Sequence, residues 1–328
     1  MSFASRAFAI ASATPLPQAG VALAAFSFGN LATSLLPESW WAPTHIIGAV
    51  LGLTLLIPVL ARHCIAIRST AVRAALAADY RNPMIAPLAT TMPMALITLG
   101  TYFARFGSAG LLCAQIIWWC GVLCIASLMM YFAWTFIVRE FRLTTVCPAW
   151  LVGFVGILVA AVTSGTVGLA WAGHIIYVIG FVIDIIMLVL ISSRIAWHGL
   201  PTGLRPTMTI YSAPISLLVA SYFSTSTVHN PLFMLMLLTC SQLLFAFVAI
   251  LLPWMLATPP SPAYAAFTFP LVITATALKN ALIIFEQAGW QVPQWAYWLQ
   301  IGETMLAGGM IVLATVTFVG IARQAIHA

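Results

Sequence analysis

The chain has 328 residues, 63% of them hydrophobic and only 5% charged. A water-soluble domain carries roughly a quarter of its residues as charges, so this composition excludes a soluble globular protein and describes a chain dissolved in lipid. The net charge of +6 is then a statement about membrane topology rather than about nucleic acid, because Lys and Arg collect in cytoplasmic loops.

Residues 1–16 read as an N-terminal cytoplasmic tail, since the apolar stretch after Arg6 is too short and too broken by small polar residues for a signal peptide. Ten apolar runs follow, each near the length of about 20 residues that a spanning helix needs: 17–36, 44–67, 84–106, 108–137, 147–170, 172–194, 207–226, 230–256, 262–285 and 294–320. The runs are continuous rather than alternating, which excludes a β-barrel. They leave no room for a second unit, so 1–328 is read as a single transmembrane domain.

The basic residues place the loops. Arg6 precedes run 1; Arg62, Arg68, Arg73 and Arg81 lie between runs 2 and 3; Arg139 and Arg142 between 4 and 5; Arg194 and Arg205 between 6 and 7; and Arg323 follows run 10. All of these fall on one side, which predicts that both termini are cytoplasmic. Segment 68–83 reads as a short amphipathic helix on that surface. The exceptions, Arg105 and Lys279, sit near the far ends of odd-numbered runs. The six cysteines lie within or at the ends of runs and read as small apolar residues.

Odd runs begin near residues 17, 84, 147, 207 and 262, a period of roughly two spans with their turns. The odd and even members differ in kind. Run 5 over 148–170 holds 11 Gly, Ala, Ser or Thr among 23 residues, whereas run 6 over 172–194 holds 5 of 23. Run 7 over 207–225 has 9 of 19, against 4 of 22 in run 8 over 231–252. Small residues allow close helix approach, and bulky ones suit lipid or another subunit. The expected fold is therefore an all-α integral membrane protein: ten transmembrane helices as five hairpins, with an inner ring of five odd helices around a central pore. Pro93, Pro214 and Pro270 are expected to kink the odd helices 3, 7 and 9 from inside. Freed carbonyls then favour a wettable path, although proline is also simply common in membrane helices.

Three stretches carry a family resemblance: Ala266-Phe267-Thr268-Phe269-Pro270; Asn82-Pro83 leading into Thr91-Met92-Pro93-Met94; and Leu204-Arg205-Pro206-Thr207-Met208 leading to Ala213-Pro214. Their order and spacing over about 17–320 resemble the TehA/slow anion channel family, which includes bacterial tellurite-resistance proteins, fungal malate and sulfite transporters and plant guard-cell anion channels. The resemblance implies the five-hairpin fold, a homotrimer with one pore per subunit, and a pore closed by a phenylalanine of span 9, here Phe269. One departure is Val21-Ala22-Leu23-Ala24, where members often have Pro and Gly.

A ring projecting into a narrow apolar pore excludes water and ions; the alternative is that Phe269 packs between helices. Phe28 is a weaker second candidate for the constriction. The odd spans contain no Asp or Glu before Glu286, and missing acidic rings beside a few positive groups favour anions. Lys279 and Arg105 either make an electropositive outer mouth or snorkel to headgroups. Asp184 and Glu303 are acids on outer helices, read as structural pairs of a cation such as Arg105 or Lys279, or, for Asp184, as a proton site. The histidines form no metal or haem pair, and no nucleophile motif is present. The sequence thus predicts an anion channel or channel-like exporter in an inner (plasma) membrane, taking small inorganic or organic anions and no cofactor. The alternative is a secondary carrier for C4-dicarboxylate, sulfite or tellurite, with or without proton coupling. An integral-membrane enzyme or redox protein is the third and least supported class.

Overall fold

The computed structural model describes residues 3–327, and every regular element among them is helical. In chain order these are α1 (Phe3–Ala13), α2 (Gln18–Leu35), α3 (Trp41–Arg68), α4 (Thr70–Arg81), α5 (Thr91–Phe103), α6 (Gly107–Ala133), α7 (Ala149–Val155), α8 (Leu158–Ser164), α9 (Ala170–His198), α10 (Ala213–Thr225), α11 (Pro231–Leu256), α12 (Phe269–Gln287) and α13 (Gln294–His327). Six spans are long and apolar enough to cross a bilayer as they stand, or eight if two bent pairs each count as one. The protein is an integral membrane protein.

Several of the expected continuous helices are broken. Run 5 is divided at Gly156–Ile157 into two seven-residue helices, α7 and α8. Run 7 begins as the 3₁₀ stretch Thr202–Ser212 and becomes α-helical only at Ala213. Ala86–Thr90 before α5 and Pro262–Phe267 before α12 are 3₁₀ as well. The three prolines explain these junctions and correct their expected role. Pro93, Pro214 and Pro270 each stand in the first turn of α5, α10 or α12 rather than inside it. Proline clashes with the carbonyl four residues earlier, but at a helix start its missing N–H is one that has no partner anyway. A proline here begins an α-helix where a 3₁₀ segment ends.

The short helices packed together are mostly buried, and the long ones are one-sided. About three quarters of the residues of α10 and α12 are buried, 10 of 13 and 14 of 19. By contrast, the most apolar window of α3, α6, α9, α11 or α13 is only 28% buried inside the protein. Each of α2, α5, α8, α10 and α12 packs against the long helix that follows it. These five also touch one another in a circuit: α2 with α5, α5 with α8, α8 with α10, α10 with α12, and α12 back on α2. Glycine permits the close approaches. A methyl group on Gly52 of α3 would run into the ring of Phe26 on α2, and one on Gly121 of α6 would run into Ile97 on α5.

Two helices lie across the bundle rather than along it. The N-terminal segment expected as a tail is α1, bent 94° from α2. The amphipathic segment expected near 68–83 is α4, bent 108° from the span that follows. Arg62 of α3, itself buried, reaches Asp79 of α4 at 2.6 Å. Arg73 of α4 donates to the carbonyls of Ala66 and Ile67, the last turn of α3, where the helix leaves acceptors free. Arg194 likewise donates to the carbonyls of Thr144 and Gly199, and Arg205 lies over the Trp254 ring at 4.6 Å. At this end of the bundle, arginines act as loop ties.

Candidate functional site

Two cavities lie inside the helix circuit, and they meet at Phe269 and Leu217, which line both. The first has a volume of about 60 Å³ and is almost wholly apolar, with Gly20, Leu23, Thr91, Met94, Val155 and Pro214 in its wall. The second is larger, at about 130 Å³, and is ringed by Ser27, Asn30, Thr98, Thr163, Thr276 and Lys279. All five members of the circuit, or the segments leading into them, contribute to these walls.

Phe269 owes its position to its neighbours on both sides. Thr268 has φ −98° and ψ −85°, neither α-helical nor extended. Its Oγ1 donates to the Ala265 carbonyl at 2.7 Å. Pro270 then fixes the start of α12. The backbone turns at this point, and the Phe269 ring, 9% exposed, is held between the cavities. Leu217 faces it from the second turn of α10.

Among the described residues, Lys279 is the sole cation lining either cavity. Its Nζ donates to Ser34 Oγ of α2 at 3.0 Å, which leaves two of its three N–H donors free. The threonine hydroxyls around it are already committed as donors: Thr98, Thr163 and Thr276 each bond a carbonyl of their own helix. Asn30 gives its amide to Thr101 Oγ1 at 2.9 Å. In the second cavity, the charged donor available to an anion is therefore the ammonium group, with the Ser27 hydroxyl beside it.

The other sequence candidates fall elsewhere. Arg105 is exposed just beyond α5 and lines neither cavity. Phe28 packs on Gly308 of α13 and also lines neither. Asp184 and Glu303 do not pair with Arg105 or Lys279; among the described residues the ion pair is Arg62–Asp79. The reason is placement. Lys279 is drawn to α2, whereas Asp184 faces the other side of the circuit from α9, and Glu303 interacts with Gln242 of α11 without a well-formed hydrogen bond. Both acids are nonetheless buried, at 0% and 2% exposed.

Leu217 and the polar ring of the second cavity were missed in the sequence reading. Leu217 carries no signal, being one leucine among many. Asn30 does carry one: it is a lone amide inside an apolar span, a type of residue that needs a polar partner or a polar cavity.

A family model described as voltage-dependent anion channel matches residues 15–324. The chain therefore belongs to that family, whose members are channels and transporters and include TehA and C4-dicarboxylate transporters. A search of curated proteins found no match.

Proposed function

We propose that this protein is an anion channel, or a channel-like exporter, in which small anions pass along the axis of the α2–α5–α8–α10–α12 circuit and Phe269 closes the path. The observation that carries this reading is the position of the Phe269 and Leu217 side chains, which stand between two cavities enclosed by those five helices. A dry apolar partition blocks ions because neither water nor a fixed polar group replaces their hydration shell.

The sign of the ion follows from the walls. Lys279 lines the second cavity, and no Asp or Glu lines either. The α5, α10 and α12 helices all begin at the first cavity, with Thr91, Ala213 and Phe269 in its wall. The positive ends of three helix dipoles then face that cavity, an arrangement that favours anions without a fixed charge. On this reading the first cavity opens to the cytoplasm, the side of the arginine-bearing loops and both termini, and the second opens outward. The apolar outer faces of the long helices meet lipid and, in a homotrimer, neighbouring subunits. Prolines 93, 214 and 270 set where the pore helices begin.

The test is current through reconstituted wild type and Phe269→Ala under a chloride gradient, with nitrate, sulfite or malate substituted in turn. A large increase in conductance in the variant, with a reversal potential on the anion side, is expected. Equally small currents in both, with saturable radiolabelled uptake, would move the protein to the carrier class.

A further inference from the structure

Asp184 is the buried acid that the pore does not use. It lies halfway along α9, on an inward stripe with Gly173, Tyr177, Gly180, Met187 and Arg194. It is 0% exposed, and neither carboxylate oxygen has a hydrogen-bond partner. An ionised carboxylate isolated in this way has no source of compensation, and the group is tolerated as the neutral acid.

Three contacts fix what it faces. A methyl group on Gly173 would meet Ser164, one on Gly180 would meet Leu158, and Arg194 bonds the Thr144 carbonyl. The antiparallel register these share places Asp184 level with Phe154, in the last turn of α7, just before the break at Gly156–Ile157. Val155 and Gly156, the next two residues of the chain at the break, line the first cavity. Asp184 therefore sits directly behind the cavity wall, at its least regular point.

The groups around it leave it electrostatically alone. Neither α7 nor α8 carries a titratable residue. The turn Leu143–Thr145 carries none either, with Arg142 beside it. On α10 there is Tyr222, and on the 3₁₀ stretch Thr202–Ser212 there are Arg205 and Tyr211. On α9 itself are His174, Tyr177, Arg194 and His198. Arg194 is ten residues away, about 15 Å along the helix, and is held by two carbonyls.

We propose that Asp184 is a proton-binding site in the wall of the pore: the neutral acid seals α9 against the α7–α8 break, and loss of its proton places a negative charge behind Val155 and Gly156 that opposes anion passage. The effect on permeation rests on the anion-pore reading; the proton site does not.

The chain offers a direct test, because it contains only two aspartates, Asp79 and Asp184, and Asp79 is paired with Arg62. Wild type labelled with carbon-13 at the aspartate carboxyl is reconstituted in phosphatidylcholine vesicles and examined by infrared spectroscopy at neutral pH. The expected result is a protonated-acid carbonyl band that shifts with the label and is absent from Asp184→Asn but present in Glu303→Gln. No label-sensitive acid band at neutral pH overturns the site. Anion flux is then followed from neutral to alkaline pH in the open Phe269→Ala background: it should fall with Asp184 present and stay level with Asp184→Asn added, and parallel curves overturn the regulatory role. The band is read without any flux, so a Phe269→Ala vesicle that passes no anion refutes the channel and leaves the proton site standing.

Discussion

Phe269 and Lys279 stand ten residues apart on one helix, about 15 Å of rise. On the proposed reading the ring excludes ions, and the ammonium concentrates them on one side of the ring. In the Phe269→Ala background, Lys279→Gln should lower anion conductance about tenfold at low ionic strength. The deficit should shrink near 1 M salt, where the screening length is only about 3 Å. Bilayer currents at two salt concentrations decide this, and equal conductance with Lys and Gln at both would remove Lys279 from the path. The sequence pointed to both residues, Phe269 by the adjoining proline and the motif around it, Lys279 as a lone cation in an odd span. It did not reveal their partners. Ser34 lies 245 residues from Lys279, and Leu217 meets Phe269 only because α10 and α12 pack side by side.

At the level of the helix, the order and polarity of the elements were legible and their internal geometry was not. An apolar run of about 20 residues looks the same whether it is one α-helix, two short ones, or a 3₁₀ stretch followed by a helix, because the bilayer selects composition and not hydrogen-bond pattern. The prolines marked the right places, but only the structure shows that α-helix begins there. Small residues were the better guide. They are dense in runs 5 and 7, which supply the buried helices, and Gly52 shows why such positions matter. Gly52→Ala pushes a methyl group against the Phe26 ring, an overpacking that costs about 1–3 kcal/mol. Its thermal midpoint in detergent should fall below that of wild type. Gly302→Ala, with nothing within 4 Å of the added carbon, should melt like wild type. Identical midpoints for the two variants would contradict the tight α2–α3 contact.

Taken whole, the molecule is a circuit of buried helices wrapped by one-sided ones, and this arrangement limits how it can choose among anions. Neither cavity contains a cluster of donors that would grip one particular shape; beyond Lys279, the walls are apolar groups, threonine hydroxyls bonded to nearby carbonyls, the Asn30 amide bonded to Thr101 and the single Ser27 hydroxyl. Selectivity should therefore be weak and ordered by size and the cost of removing water, with nitrate passing ahead of chloride in reversal-potential measurements. Outright rejection of one anion while another of equal size passes would require a binding site that these walls do not show. The basic residues bear on a different property. Arg62, Arg73, Arg194 and Arg205 are bound to an acid, to carbonyls and to a ring, so they are not loose arms sweeping ions toward the mouth. As moorings they are expected to hold the depth and orientation of the bundle in the bilayer, and losing one should show first in the yield of correctly oriented protein rather than in the traffic through it.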